Sequence, residues 1–206
     1  GFRNDGEEIW GCCVASCTLG SLFADAMRHA AGTNVAMINC GAIRSSLSAG
    51  PITLSDLLQA LPFLNPLVSL TVTGAQLITA LENSISLNGV ADLTDNPSGR
   101  FMQVSGLSFR WYFQGGQPVL GRVHVDGIGE ITASTPAVTL VTNNYIAGGG
   151  DGYSVLGSVT SRTRLGTLVF EAVSQYLSSG HDRPTPPARD RIQQDPSIRT
   201  LQLGLL

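Results

Sequence analysis

The residues best suited to chemistry in this chain lie in one run, Asn143-Asn144-Tyr145-Ile146-Ala147-Gly148-Gly149-Gly150-Asp151-Gly152-Tyr153. Glycines let backbone approach a flat ligand closely, the tyrosine rings offer stacking faces, and Asp151 can accept hydrogen bonds from hydroxyls. The implied chemistry is recognition of a sugar and a base rather than bond breaking. Taken alone, such a run is as often a plain turn. Phe63 by itself reads as core, and Arg44 by itself as a solvated charge. The sequence has no Gly-x-Ser-x-Gly elbow, no phosphate loop ending in Gly-Lys-Ser/Thr and no His-Glu-x-x-His helix. His29, His124 and His181 stand far apart, without metal-ligand spacing.

Composition narrows the class. With 206 residues, 43% hydrophobic and 13% charged, the chain can bury a full core, and one domain is the default. A net charge of -3 lacks the basic footprint of a nucleic-acid binder, and no apolar run reaches membrane-spanning length. All 12 basic residues are arginine, which coding bias in a GC-rich genome explains as readily as selection on the surface. Cys12, Cys13 and Cys17 crowd the N-terminal end while Cys40 stands alone, and no Cys-x-x-Cys pair suggests zinc. Cys12 with Cys17 would close a small loop in an oxidising compartment. The chain opens at Gly1 without an initiator methionine or signal peptide, as expected of a processed protein or a segment of a longer one.

The elements that must position the run follow from periodicity. Leu19, Leu22, Phe23, Ala26, Met27 and Ala30 predict a helix over 18–31, stopped by Gly32. The apolar stretch 34–39 predicts a buried strand ending in the turn Cys40-Gly41-Ala42. Gly50-Pro51-Ile52-Thr53 introduces a short helix with Thr53 as N-cap and Asp56 in its first turn; Pro62 ends it and delivers Phe63. A strand over 68–72 and a helix over 74–85 come next. Strands over 101–104, 107–113, 119–125 and 138–141 follow, then a helix over 165–177. This mixture predicts an α+β fold, one mixed sheet covered by helices, as a single domain over 1–180. Residues 181–206 read as a tail, interrupted by Pro184, Pro186, Pro187 and Pro196 and ending in the apolar Leu201–Leu206.

Order and spacing then add a resemblance. The series runs Leu19-Gly20-Ser21-Leu22-Phe23-Ala24-Asp25-Ala26-Met27, Asn39-Cys40-Gly41-Ala42-Ile43-Arg44, Gly50-Pro51-Ile52-Thr53, Leu61-Pro62-Phe63-Leu64-Asn65, Leu70-Thr71-Val72-Thr73-Gly74, Gln103-Val104-Ser105-Gly106 and Gly149-Gly150-Asp151-Gly152-Tyr153. It resembles the C-terminal, substrate-binding domain of the 5′-nucleotidase, UDP-sugar hydrolase and apyrase family, collinearly over about residues 10–178.

The resemblance implies a division of labour. An N-terminal metallophosphatase domain would hold two divalent metal ions that activate water, while the C-terminal domain grips the nucleoside. Phe63 and Tyr145 would sandwich the base, with Tyr145 standing where the family usually has phenylalanine. Asp151 would accept from ribose hydroxyls, Asn39 would hydrogen-bond the base, Arg44 would face phosphate oxygens, and Asn65 would join the same pocket. This chain departs from the pattern in places. Cys40 and Ala42 replace two glycines of the family's Gly-Gly-Gly-Ile-Arg, and a β-carbon there costs about 1 kcal/mol or more if φ is positive. Cys13 and Ser21 occupy positions where the family carries further arginines, so base and ribose recognition look better preserved than phosphate recognition. The paired metal motifs, Asp-x-His and Gly-Asn-His-Asp/Glu, do not occur. No cofactor is therefore expected in this chain, which is not expected to hydrolyse nucleotides by itself.

Three roles fit: the specificity half of a nucleotidase-like enzyme, a stand-alone nucleoside or nucleotide binder, or a structural module of an extracellular assembly. In the last, residues 192–206 would add a strand to a neighbouring subunit, unless they fold back on their own domain. The cysteines, the missing lysines and the family's habits imply a secreted, periplasmic or cell-surface location, although no Asn-x-Ser/Thr acceptor site occurs. Cys12–Cys17 is the preferred disulfide, with Cys13 and Cys40 the candidate second pair among three formal pairings.

Overall fold

The computed structural model describes residues 11–48, 50–87, 98–180 and 191–195. Helix α1, Thr18–Ala31, has the predicted bounds; Cys17 Sγ caps it by accepting from the Gly20 N–H, and Gly32 in left-handed backbone ends it. The chain then enters the fully buried strand β1, Val35–Asn39. Helix α2, Leu54–Ala60, opens on a Thr53/Asp56 capping box, whose hydroxyl bond lowers the Asp56 pKa. Strand β2, Pro66–Val72, leads to α3, Gly74–Ile85, capped in the same way by Thr73 and Gln76.

Five strands, a hairpin and short helices follow: β3 Met102–Ser105, β4 Leu107–Gln114, β5 Gln117–Val125, β6 Gly129–Glu130 and β7 Val138–Asn143. After β7 come α4 Asn144–Ala147, α5 Ser154–Gly157, β8 Arg162–Leu168, α6 Val169–Ser178 and β9 Ile192–Gln194.

The α+β class holds, but the strands divide between two sheets, ordered β3-β1-β7-β2-β8 and β6-β5-β4-β9. The break falls at Gly106, between β3 and β4, where φ is 70° and a β-carbon would lie 2.1 Å from the Asn34 carbonyl oxygen. Only glycine permits that crossing. Alternation in the first sheet decides its faces. Ala36, Ile38, Leu67 and Val141 pack with Phe23, Met27, Leu57 and Val173 of α1, α2 and α6. Val35, Met37, Leu70 and Leu140 pack with Leu77 and Leu81 of α3 and with Phe109, Trp111 and Val123 of the second sheet. Each large side chain buried this way contributes roughly 1.5–3 kcal/mol.

Two expectations are corrected. The helix predicted over 165–177 begins at Val169, because Arg162–Leu168 pairs antiparallel with β2, Leu168 opposite Pro66 and Arg162 opposite Leu70. Part of the predicted tail is also bound to the body: Ile192–Gln194 lie parallel to β4, with Ile192 opposite Phe109. That strand fills an edge of its own chain. Arg191 anchors it through a salt bridge to Asp25 and a hydrogen bond to the Val104 carbonyl. Residues 181–190 and 196–206 lie outside the described residues.

Both candidate disulfides form, Cys12–Cys17 and Cys13–Cys40. Replacing Cys12 and Cys17 together with serine keeps an oxygen at the α1 cap and removes only a cross-link of sequence separation 5. The lost loop entropy is about 2 kcal/mol, so the melting temperature measured by calorimetry should fall by about 4–8 °C. Among the described residues no helix is long and apolar enough to cross a membrane.

Candidate functional site

Strands β1 and β7 are parallel neighbours, with Val35 opposite Leu140, so they finish side by side. Their last residues are Asn39 and Asn143. Ligand clefts form where loops leave the carboxyl ends of such strands. Here the loops are the 3-10 turn Cys40–Ala42 after β1, and α4 with the 3-10 turn Gly150–Gly152 after β7.

Buried amides link the two loops. Asn143 caps α4 by accepting from the Ile146 N–H at 3.0 Å, and its amide donates to Asn39 Oδ1 at 2.9 Å. Asn39 Nδ2 in turn donates to Asp151 Oδ2 at 2.9 Å, while the Tyr145 hydroxyl donates to Asp151 Oδ1 at 2.8 Å. That last bond raises the Tyr145 pKa, so the phenol remains a donor at neutral pH. A carboxylate offers about four acceptor directions, so each Asp151 oxygen keeps capacity for a ligand.

The ring of Tyr145 is fixed from one side. A β-carbon on Gly150 would lie 2.5 Å from Tyr145 Cζ and 2.6 Å from both Cε atoms, so the glycine backbone lies against the ring face. One face remains for a ligand. Phe63 and Tyr145 are 55% and 50% exposed, unusual for rings of this size, and both line the same cleft.

Five of the six predicted binding residues, Asn39, Phe63, Asn65, Tyr145 and Asp151, line this cleft of about 330 Å³. Its volume is within the range of small-molecule sites. The backbones of Gly41 and Gly99 complete it, held by a 2.9 Å hydrogen bond from the Gly41 N–H to the Gly99 carbonyl. Arg44 is not brought in: it is exposed, its N–H bonds the Ala60 carbonyl, and it does not line the cleft. Among the described residues, the lining therefore carries one acid and no base.

Neither Cys40 nor Ala42 has positive φ, so the loop carries no strain from its replaced glycines. Cys13 is tied to Cys40, and Ser21 is fully buried in α1. A larger recess of about 630 Å³ lies on the second sheet beside Arg110, Tyr112, Arg122, His124 and Glu130, away from the loops at the ends of β1 and β7. The smaller cleft is the better built site. Sequence reasoning assigned no role to Asn143 or Gly99. The signal for Asn143 was an asparagine at the end of a strand, before a helical turn.

Among the described residues no three His, Cys, Asp or Glu side chains gather to hold a metal ion. One carboxylate among amides does not fit a two-metal centre.

Residues 4–158 match the family described as 5′-nucleotidase, C-terminal domain. The chain is 30% identical over 184 residues to the trifunctional nucleotide phosphoesterase protein YfkN of Bacillus subtilis, covering 85% of this chain and 12% of that protein. It is 32% identical over 180 residues to endonuclease YhcR of the same organism, covering 87% and 13%. The crystal structure of a 5′-nucleotidase precursor from Thermus thermophilus superposes with a TM-score of 0.72 at 32% identity, covering 86% of this chain and 35% of that one. The chain thus spans only a minor part of the relatives it matches.

Proposed function

The chain belongs to the family of 5′-nucleotidase C-terminal domains, and on that premise we propose that it is the nucleoside- or nucleotide-binding specificity domain of a 5′-nucleotidase-like metallophosphoesterase. The observation that carries this reading is the cleft in which two exposed rings and one oriented carboxylate converge. A base enters between Phe63 and the free face of Tyr145, each ring face contributing about 1–3 kcal/mol. The ribose hydroxyls donate to Asp151. Asn39 is 4% exposed and engaged at both ends of its amide, so it acts on the ligand chiefly by aiming Asp151. Phosphates extend out of a cleft that has no cation among the described residues. The two metal ions and the hydrolytic step belong to a metallophosphatase domain elsewhere in the full protein. The disulfides support export, to a secreted, periplasmic or cell-surface location.

Calorimetry with adenosine, AMP and UDP-glucose tests the reading. Adenosine and AMP are expected to bind within a few-fold of one another, since no basic residue among those described lines the cleft. Asp151→Asn suits the left-handed backbone at φ 53° but turns a donor toward Asn39 or Tyr145. It should weaken adenosine binding about tenfold to a hundredfold. No detectable heat at millimolar adenosine would refute the proposal in favour of a structural module that keeps the fold.

A further inference from the structure

The carboxylate that defines the cleft stands on unusual backbone. Asp151 is left-handed, at φ 53° and ψ 26°, between Gly149 at φ 96° and Gly152 at φ 83°. Aspartate tolerates this conformation better than most residues with a β-carbon, but flanking glycines add freedom rather than restraint. A contact from outside the turn restrains it.

Asn83, on the last turn of α3, does so. Its Nδ2 donates to the Asp151 backbone carbonyl at 3.1 Å. Its Oδ1 faces the Arg100 guanidinium, whose Nη1 lies 3.5 Å away and also donates to Ser86 Oγ at 3.0 Å. A carbonyl at one end and a guanidinium at the other fix the amide's direction. A β-carbon on Gly152 would lie 2.9 Å from Asn83 Oδ1, so glycine there admits the amide. Beyond the turn, the buried Tyr153 donates its hydroxyl to the Arg100 carbonyl at 2.7 Å, and burial raises its pKa. The turn is gripped from behind through the Asp151 carbonyl and Tyr153, while the Asp151 carboxylate faces the cleft.

We infer that Asn83 is a positioning residue of the nucleoside site: by holding the Asp151 carbonyl it sets the carboxylate where Asn39 and Tyr145 can aim it at a ligand's vicinal hydroxyls. This inference rests on the nucleoside-binding reading. Asn83 does not line the cleft, so it touches no ligand itself.

The test is calorimetry of this chain and two variants with adenosine and with 2′,3′-dideoxyadenosine, which lacks the hydroxyls. Asn83→Asp keeps the shape and the acceptor for Arg100 but sets an oxygen against the Asp151 carbonyl. Asn83→Ala removes the amide and provides a second reading should the aspartate variant fail to fold. Both variants are expected to lose about tenfold in adenosine affinity while binding dideoxyadenosine as the parent does. Equal losses for both ligands would mean general loosening and overturn the inference. A parent that prefers adenosine, with variants that keep the same preference, would overturn it while sparing the nucleoside-binding reading. A parent that binds neither ligand would remove both.

Discussion

Replacing Arg191 with alanine should destabilise the domain by about 3–5 kcal/mol, because it leaves a buried carboxylate without its cation. The Asp25 side chain is 9% exposed and the Arg191 side chain 17%. The guanidinium donates to Asp25 Oδ2 at 2.9 Å, and to the carbonyls of Val104 and Ser21 at 2.9 and 3.3 Å. Without it Asp25 keeps the Ser105 hydroxyl. The melting temperature should fall by about 6–20 °C. Replacing Arg191 by methionine and Asp25 by leucine together should recover most of the loss, since an apolar pair of similar volume avoids the unpaired charge. If the single variant melts within about 2 °C of the parent, by the same scaling, the pair is not what anchors this segment. The loss has a local readout as well. Strand β9 is only three residues long, Ile192–Gln194. Without its anchor it should release from β4, and hydrogen exchange at the Phe109 N–H, which bonds the Arg191 carbonyl, should accelerate with it.

That anchor also shows where sequence reading stopped. Arg191 is one of 12 arginines in a polar stretch interrupted by prolines, and nothing local distinguishes it. Its partner Asp25 lies 166 residues away, on a helix chosen for its apolar stripe. Helices α1 and α3 were legible to the residue, because Gly32 stops one and Leu77, Ile78, Leu81 and Ile85 keep helical period through the other. Residues Leu165–Leu168 were not: Leu165, Val169, Val173 and Tyr176 keep helical spacing, and pairing with β2 overrides it. Gly166, at φ 74°, was the only local hint. The split into two sheets was equally hidden, since alternation tells which face a strand buries but not which strand lies beside it. In the site, the residue types and their order were readable, and five of six assigned residues converge. The residues that aim Asp151 were not. Asn143 reaches Asn39 across 104 positions and Asn83 reaches Asp151 across 68. An asparagine inside a helix, a weak helix former, was the only mark on Asn83.

Replacing Cys13 and Cys40 together with alanine should lower stability by about 3–4 kcal/mol, from the loop entropy of a cross-link with sequence separation 27. The melting temperature should drop by about 6–16 °C. The native cleft should change far less. The N-terminal turn is held independently by the fully buried Gln103, whose amide donates to the Cys12 and Ala15 carbonyls at 2.7 Å each and accepts from the Cys17 N–H at 2.9 Å. The turn after β1 is likewise held by its own backbone: the Cys40 N–H bonds the Phe101 carbonyl at 2.8 Å, and the Gly41 N–H bonds Gly99. The cross-link then acts mainly on the unfolded chain, so adenosine affinity should stay within about threefold of the parent while the melting temperature falls. An affinity that collapses along with stability would show instead that the disulfide holds Asn39 and Gly41 in place. Cys40 would then serve the binding loop directly.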